Sequence, residues 1–65
     1  MVNNLSPQMC RVLTLLAEGN TPKEVGVILG IKRQSVRRYA YIAMKRLEAR
    51  TVVQAVVKFQ VNNER

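Results

Sequence analysis

The chain has 65 residues, which suffices for one domain with one small core. Its 11 lysines and arginines against 4 acidic residues give a net charge of +7, which favours an anionic partner: nucleic acid, a membrane surface or an acidic protein. The sequence has no histidine or aspartate, and its glutamates are widely spaced, which excludes carboxylate pairs, thiol–histidine pairs and zinc-ligand clusters. We therefore expect a binding module that is not an enzyme, with no metal and no cofactor.

Cysteine content and hydropathy indicate the compartment. Cys10 is the only cysteine, so no internal disulfide can form, and a reducing environment fits. Residues 1–9 lack the basic and then apolar segments of a signal peptide. No apolar run approaches the ~18 residues that cross a bilayer. A cytoplasmic protein without membrane association is predicted, and Cys10 is interpreted as a small buried apolar residue.

The first helix is predicted at residues 7–18. Ser6 before Pro7 is a typical N-cap followed by proline at the first helical position, and Gly19 suits a left-handed C-cap. Apolar residues recur between them every three or four positions, as an amphipathic helix requires. These residues are Met9, Val12, Leu13, Leu16 and Ala17.

The second helix is predicted at residues 22–29. Thr21 and Glu24 have the spacing of a capping box, and Gly30 provides the stop. Its expected buried stripe consists of Val25, Ile28 and Leu29. Only a few residues separate this helix from the next, so the two must cross steeply, as in a helix-turn-helix.

The third helix, predicted at residues 33–48, has two faces of opposite character. One face is apolar and is expected to pack on the first two helices; it contains Val36, Ala40, Ala43, Met44 and Leu47. The other face is polar and basic, and it contains Gln34, Arg38, Tyr41 and Lys45, with Arg37 beside them. Seven of the 11 cations lie between Lys32 and Arg50, which favours a nucleic-acid contact over a merely solvated surface.

The fourth helix is predicted at residues 52–61, capped by Thr51. It carries two apolar stripes: Val52, Ala55, Val56 and Phe59 in the first, and Val53, Val57 and Val61 in the second. The second stripe is either ordinary core or a contact with a partner. We favour the partner contact, because the first stripe already supplies a side to bury.

The stretch from Leu5 to Val56 resembles the LuxR-type (GerE-like) helix-turn-helix DNA-binding domain. The similarity lies in "LSP", "VLTLLAEG", "KEV", "LGI", "SVRR", the leucine ending the third helix and "QAV" near the end. This resemblance implies an all-α, four-helix domain spanning residues 1–65. It also implies a bacterial or phage transcription regulator with its third helix in the major groove and a dimer contact through its fourth.

The basic face and the resemblance together predict eight DNA-contacting residues: Lys23, Arg33, Gln34, Ser35, Arg37, Arg38, Tyr41 and Lys45. The resemblance puts Arg37, Arg38 and Tyr41 near bases, and Lys23 with the early residues of the third helix near phosphates. Each arginine suits either the two acceptors of guanine or a phosphate. The predicted dimer or partner contacts are Val53, Val57, Gln60 and Val61.

Two departures from the family pattern affect the helix-turn-helix. Lys32 stands where a serine or threonine cap is usual, which removes about 1 kcal/mol of helix stability. Gly26 stands where alanine is usual, and we expect it to weaken the second helix by roughly 0.5–1 kcal/mol.

Two alternatives remain open. The stretch from Lys32 to Leu47 also resembles the helix-turn-helix of sigma-factor region 4, which binds promoter DNA. The chain could instead be a protein-interaction module, an anti-activator that forms heterodimers with a larger regulator through its last helix. The expected partners are double-stranded DNA, a second copy or a related regulator, and RNA polymerase. The expected location is the bacterial nucleoid, or the bacterial host in the case of a phage protein.

Overall fold

The computed structural model describes residues 5–63, and four α-helices make up most of that range. They are α1 (Pro7–Ala17), α2 (Pro22–Leu29), α3 (Arg33–Arg46) and α4 (Val52–Asn63). No strand occurs between residues 5 and 63, so the predicted all-α fold of four helices is confirmed. The predicted ends of the first and third helices were one and two residues too long, and the predicted end of the fourth was two too short. No helix within this range is long and apolar enough to cross a membrane.

Both predicted N-caps of the helix-turn-helix scaffold are confirmed. The Ser6 hydroxyl accepts a hydrogen bond from the Met9 N–H at 3.2 Å. At the start of α2, the Thr21 hydroxyl accepts from the Glu24 N–H at 3.2 Å, and the Glu24 carboxylate accepts from the Thr21 N–H at 2.8 Å. These bonds satisfy N–H groups that have no partner inside the helices.

Three helices end with one residue in the left-handed region. These residues are Gly19 (φ 97°) after α1, Gly30 (φ 71°) after α2 and Glu48 (φ 57°) after α3. In each case the next N–H bonds to a carbonyl five residues earlier, which is the Schellman arrangement. The pairs are Asn20 with Leu15 (3.2 Å), Ile31 with Gly26 (2.9 Å) and Ala49 with Met44 (2.9 Å). Helix α3 therefore stops at Arg46 because the backbone turns at Glu48.

Helix α3 is held by two apolar clusters. The first joins α1, α2 and α3 and consists of Val12, Val25, Val36 and Ala40. The second joins α1, α3 and α4 and consists of Met9, Leu13, Ala43, Leu47, Ala55 and Phe59. Each fully buried valine or leucine contributes about 1.5–3 kcal/mol. Because α3 contributes to both clusters, its orientation is fixed along most of its length and its opposite side faces outward.

Three expectations about buried residues were wrong or incomplete. Ile28 is 56% exposed. Helix α2 buries Val25 and Gly26, and Ile28 lies about 60° from Val25 around the helix axis, in the direction away from Gly26. Val52 is 38% exposed at the first turn of α4, where the helix has only begun to pack. Cys10 is half-buried rather than buried.

Gly26 has a packing role that its helix propensity did not reveal. A Cβ atom at this position would lie 2.7 Å from the Ile31 carbonyl oxygen and 3.5 Å from the Arg33 nitrogen. The turn between α2 and α3 therefore folds directly against the backbone of α2, and only glycine leaves room for it.

Candidate nucleic-acid interface

The outward side of α3 carries six exposed residues, which we term the basic face: Arg33, Gln34, Arg37, Arg38, Tyr41 and Lys45. Spacings of three and four residues keep them on one side of the helix. The buried residues Val36, Ala40 and Ala43 occupy the opposite side. Since those residues are locked in the two clusters, the basic face is presented to solvent as a rigid surface.

The guanidinium groups of Arg37 and Arg38 are available to a ligand. Both side chains are exposed, and neither makes a hydrogen bond or ion pair with any residue in the described range. The Glu24 carboxylate on α2 is used in the capping box of that helix. Each guanidinium thus keeps five N–H donors in a planar fork that matches guanine or phosphate.

Tyr41 is the aromatic residue of the basic face, and it is 54% exposed. The Lys45 ammonium nitrogen lies 5.2 Å from the centre of its ring, a cation–π contact that contributes about 0.5–1 kcal/mol at an exposed site. With Arg37 and Val52, Tyr41 also borders a cavity of about 360 Å³, which residues of α1 and α2 line on its other side. The contact with Lys45 therefore holds the Tyr41 ring along the surface of α3.

The N-terminus of α3 has no side-chain cap. Lys32 occupies the cap position with φ −72° and ψ 150° and makes no capping hydrogen bond, because its ammonium group has no acceptor. The N–H groups of Arg33 and Gln34 are consequently left for water or for an anion. Lys32 is exposed beside them, and it belongs with the candidate residues although the predicted set omitted it.

The other predicted residues lie at the edges of this surface. Lys23 is exposed in the first turn of α2, the scaffold helix of the helix-turn-helix. Ser35 is half-buried at the start of α3, next to the fully buried Val36. Seven of the eight predicted residues are thus on α3, and six of these seven are exposed. Between residues 5 and 63, no group of histidine, cysteine or acidic residues is placed to hold a metal ion.

Helix α4 exposes the second valine stripe. Val53, Val57 and Val61 are 74%, 52% and 54% exposed, and we term them the valine face. Gln60 is also exposed, whereas Ala55 and Phe59 on the other side are buried. The valine face therefore does not belong to the core of the single chain.

Lys58 makes a contact that the sequence did not reveal. Its ammonium donates to the carbonyl oxygens of Leu47 and Glu48, at 3.3 and 2.9 Å, and so joins α4 to the end of α3. No sequence pattern connects residues ten positions apart on different helices.

The predicted cap of α4 is confirmed nearby, where the Thr51 hydroxyl accepts from the Gln54 N–H at 3.0 Å.

The family model for GerE, described as bacterial regulatory proteins of the luxR family, matches residues 3–59. The chain belongs to the luxR family. This confirms the resemblance drawn from the sequence and gives it precedence over the similarity to sigma-factor region 4. None of the curated proteins compared with the chain matches it significantly.

Membership in the luxR family identifies a DNA-binding regulator, a type of fold that is not typically enzymatic. The structure agrees with this assignment in two respects. It has the four helices of a LuxR-type helix-turn-helix domain, and its most basic exposed surface lies on the helix that follows the tight turn.

Proposed function

We propose that this chain is a transcription regulator that recognises specific duplex DNA by inserting α3 into the major groove. We further propose that residues 1–65 act as a single DNA-binding domain in the cytoplasm of a bacterium or of a phage host. The observation that carries the proposal is the basic face, whose two central guanidinium groups have no partner in the described range. The major groove is about 12 Å wide and admits one helix with such a surface.

Each residue of the surface has a proposed role. Arg37 and Arg38 contact base edges, because a planar fork can satisfy both acceptors of guanine. Tyr41 meets a thymine methyl group or a phosphate. The remaining residues neutralise or bind phosphates and set the register of the helix on the duplex; they are Lys23, Arg33, Gln34, Ser35 and Lys45.

We propose that the active species is a dimer formed through α4, with Val53, Val57, Gln60 and Val61 in the contact. Support comes from the valine face, which leaves more than half of each valine side chain in water. Two copies related by a two-fold axis would contact half-sites about 34 Å apart. The same face would serve an anti-activator that pairs with a larger regulator, and RNA polymerase is a further proposed partner at the promoter.

The test is selection of bound duplexes in vitro, followed by a salt titration of the selected site using fluorescence anisotropy. We expect log affinity to fall linearly with log salt, with a slope of about −0.9 for each phosphate neutralised. Arg38→Ala should weaken the selected site by about 1–3 kcal/mol and relax the base preference at one position.

Arg11→Ala is the matched control, because Arg11 is an exposed arginine on α1 and does not belong to the basic face. It removes the same charge and should leave the base preference unchanged. Equal losses in the two variants would indicate a general charge effect, and no binding of any duplex at low salt would refute the proposed function.

A further inference from the structure

Lys58 connects the two helices that carry the basic face and the valine face. Its ammonium bonds to the carbonyl oxygens of Leu47 (3.3 Å) and Glu48 (2.9 Å), just beyond the last turn of α3. These carbonyls lie where the helix has ended, at its electronegative end, so a cation is favourable there. Lys58 is half-buried, and two of its three donors are directed at the backbone of α3 rather than at solvent.

Lys58 adds two directional bonds to the apolar contact between α3 and α4. That contact buries Ala43 and Leu47 against Ala55 and Phe59. Apolar burial is not directional, whereas a hydrogen bond weakens steeply when its angle departs from linearity, so the two bonds restrict the crossing angle further. The two bonds from Lys58 span the turn between residues 47 and 51 and join the middle of α4 to the end of α3.

We propose that Lys58 is a positioning residue that fixes the angle between α3 and α4, and thereby the separation of half-sites that the dimer prefers. This inference rests on the proposed function, because it assumes dimerisation through α4. In a dimer built on α4, any change in the angle to α3 moves the two basic faces relative to each other. Lys58 acts through the backbone of Leu47 and Glu48 without touching DNA.

The experiment uses the full chain and duplexes with two selected half-sites whose spacing is varied one base pair at a time. Wild type should show one preferred spacing. Lys58→Met keeps the aliphatic stem and removes the donors; its preference for that spacing should flatten by roughly tenfold, which corresponds to about 1.4 kcal/mol. Lys58→Arg retains donors and charge and should restore most of the preference. Affinity for a single half-site should be unchanged in both variants.

Several outcomes would overturn the inference. Lys58→Met could weaken every spacing equally, which would indicate a role in stability alone. It could also reduce the salt slope by about 1, which would indicate a phosphate contact. If Lys58→Met does not fold, as judged by circular dichroism, Lys58→Leu, which also lacks side-chain donors, provides the same comparison. A wild type that binds one half-site without any spacing preference would refute the dimer itself, and the inference with it.

Discussion

The outer sides of α3 and α4 differ in chemistry although both helices are anchored in the same apolar cluster. The basic face of α3 exposes cations around one aromatic ring, and the valine face of α4 exposes three β-branched apolar side chains. Apart from the cation–π contact between Lys45 and Tyr41, neither surface adds to the stability of the single chain. Like charges on α3 repel one another, and the exposed valines gain nothing from burial in the monomer.

This difference assigns separate tasks to the two helices. A basic surface is neutralised by a polyanion, and an apolar surface is covered by another apolar surface. Since α4 packs on α3 through residues distinct from either exposed set, one surface can be altered without removing the other. Substitutions on the two surfaces should therefore separate DNA contact, partner contact and stability.

The largest expected effect is that of Val57→Asp. A carboxylate in the centre of the valine face would have to lose its water when a partner covers it, which costs several kcal/mol. We expect a monomer in analytical ultracentrifugation. A dimer that binds two half-sites gains roughly 10²–10⁴-fold in affinity through avidity. The affinity of Val57→Asp for a two-half-site duplex should therefore decrease by that factor, while its affinity for a single half-site is retained.

Val27→Asp is the matched control for that substitution. Val27 is 77% exposed on α2, so the change adds the same charge to an exposed valine outside the valine face. It should leave the mass, and the ratio of two-half-site to single half-site affinity, near wild type. If Val27→Asp dissociated the dimer as much as Val57→Asp does, the valine face of α4 would have no special role in partner contact. A monomeric wild type that pairs with a larger luxR-family regulator through Val57 would favour the heterodimer.

The next effect concerns the turn that positions α3. Gly26→Ala would gain about 0.5–1 kcal/mol if only helix propensity mattered. A Cβ atom 2.7 Å from the Ile31 carbonyl oxygen instead requires the turn to shift, so we expect a loss of about 1–3 kcal/mol. Urea unfolding gives the sign directly. In the folded protein, affinity for DNA should fall because α3 is displaced, while dimerisation through α4 should persist; a gain in stability would contradict the packing role.

Local chemistry explains which parts of this fold the sequence predicts. The caps at Ser6 and Thr21 depend on residues three positions apart, and the two faces of α3 follow from its 3.6-residue period. These features form whenever the helix forms. The helix boundaries and the composition of the basic face were accordingly predictable to within one or two residues.

Tertiary contacts explain what the sequence could not predict. The approach of Ile31 to Gly26 depends on how one turn folds back on α2, and the Lys58 bonds depend on the crossing of two helices. Ile28 fits a helical apolar stripe, yet α1 and α3 leave its side of α2 uncovered. Periodicity indicates which residues share a side of a helix, but the neighbouring helices decide which side is buried.

The smallest expected effect concerns the turn that joins α3 to α4. Among residues 5–63, Glu48 is the one non-glycine residue with a positive φ, at 57°. The left-handed conformation costs a non-glycine residue about 1–2 kcal/mol. Glycine avoids that strain but loses about 0.5–1 kcal/mol more chain entropy on folding, so Glu48→Gly should stabilise the protein by about 0.5–1 kcal/mol.

Thermal unfolding measures this gain, which should raise the Tm by about 2–8 °C in a domain of this size. Glu48→Ala is the control, because it removes the same carboxylate and keeps the strained Cβ atom. Alanine should show no gain, and an equal gain in both variants would mean that the acidic charge, rather than the backbone, was unfavourable. Because the Glu48 carbonyl still accepts from Lys58 in Glu48→Gly, the preferred half-site spacing should stay as in wild type. A more stable protein with unchanged spacing would show that the strain at this turn is separate from the alignment of the two faces.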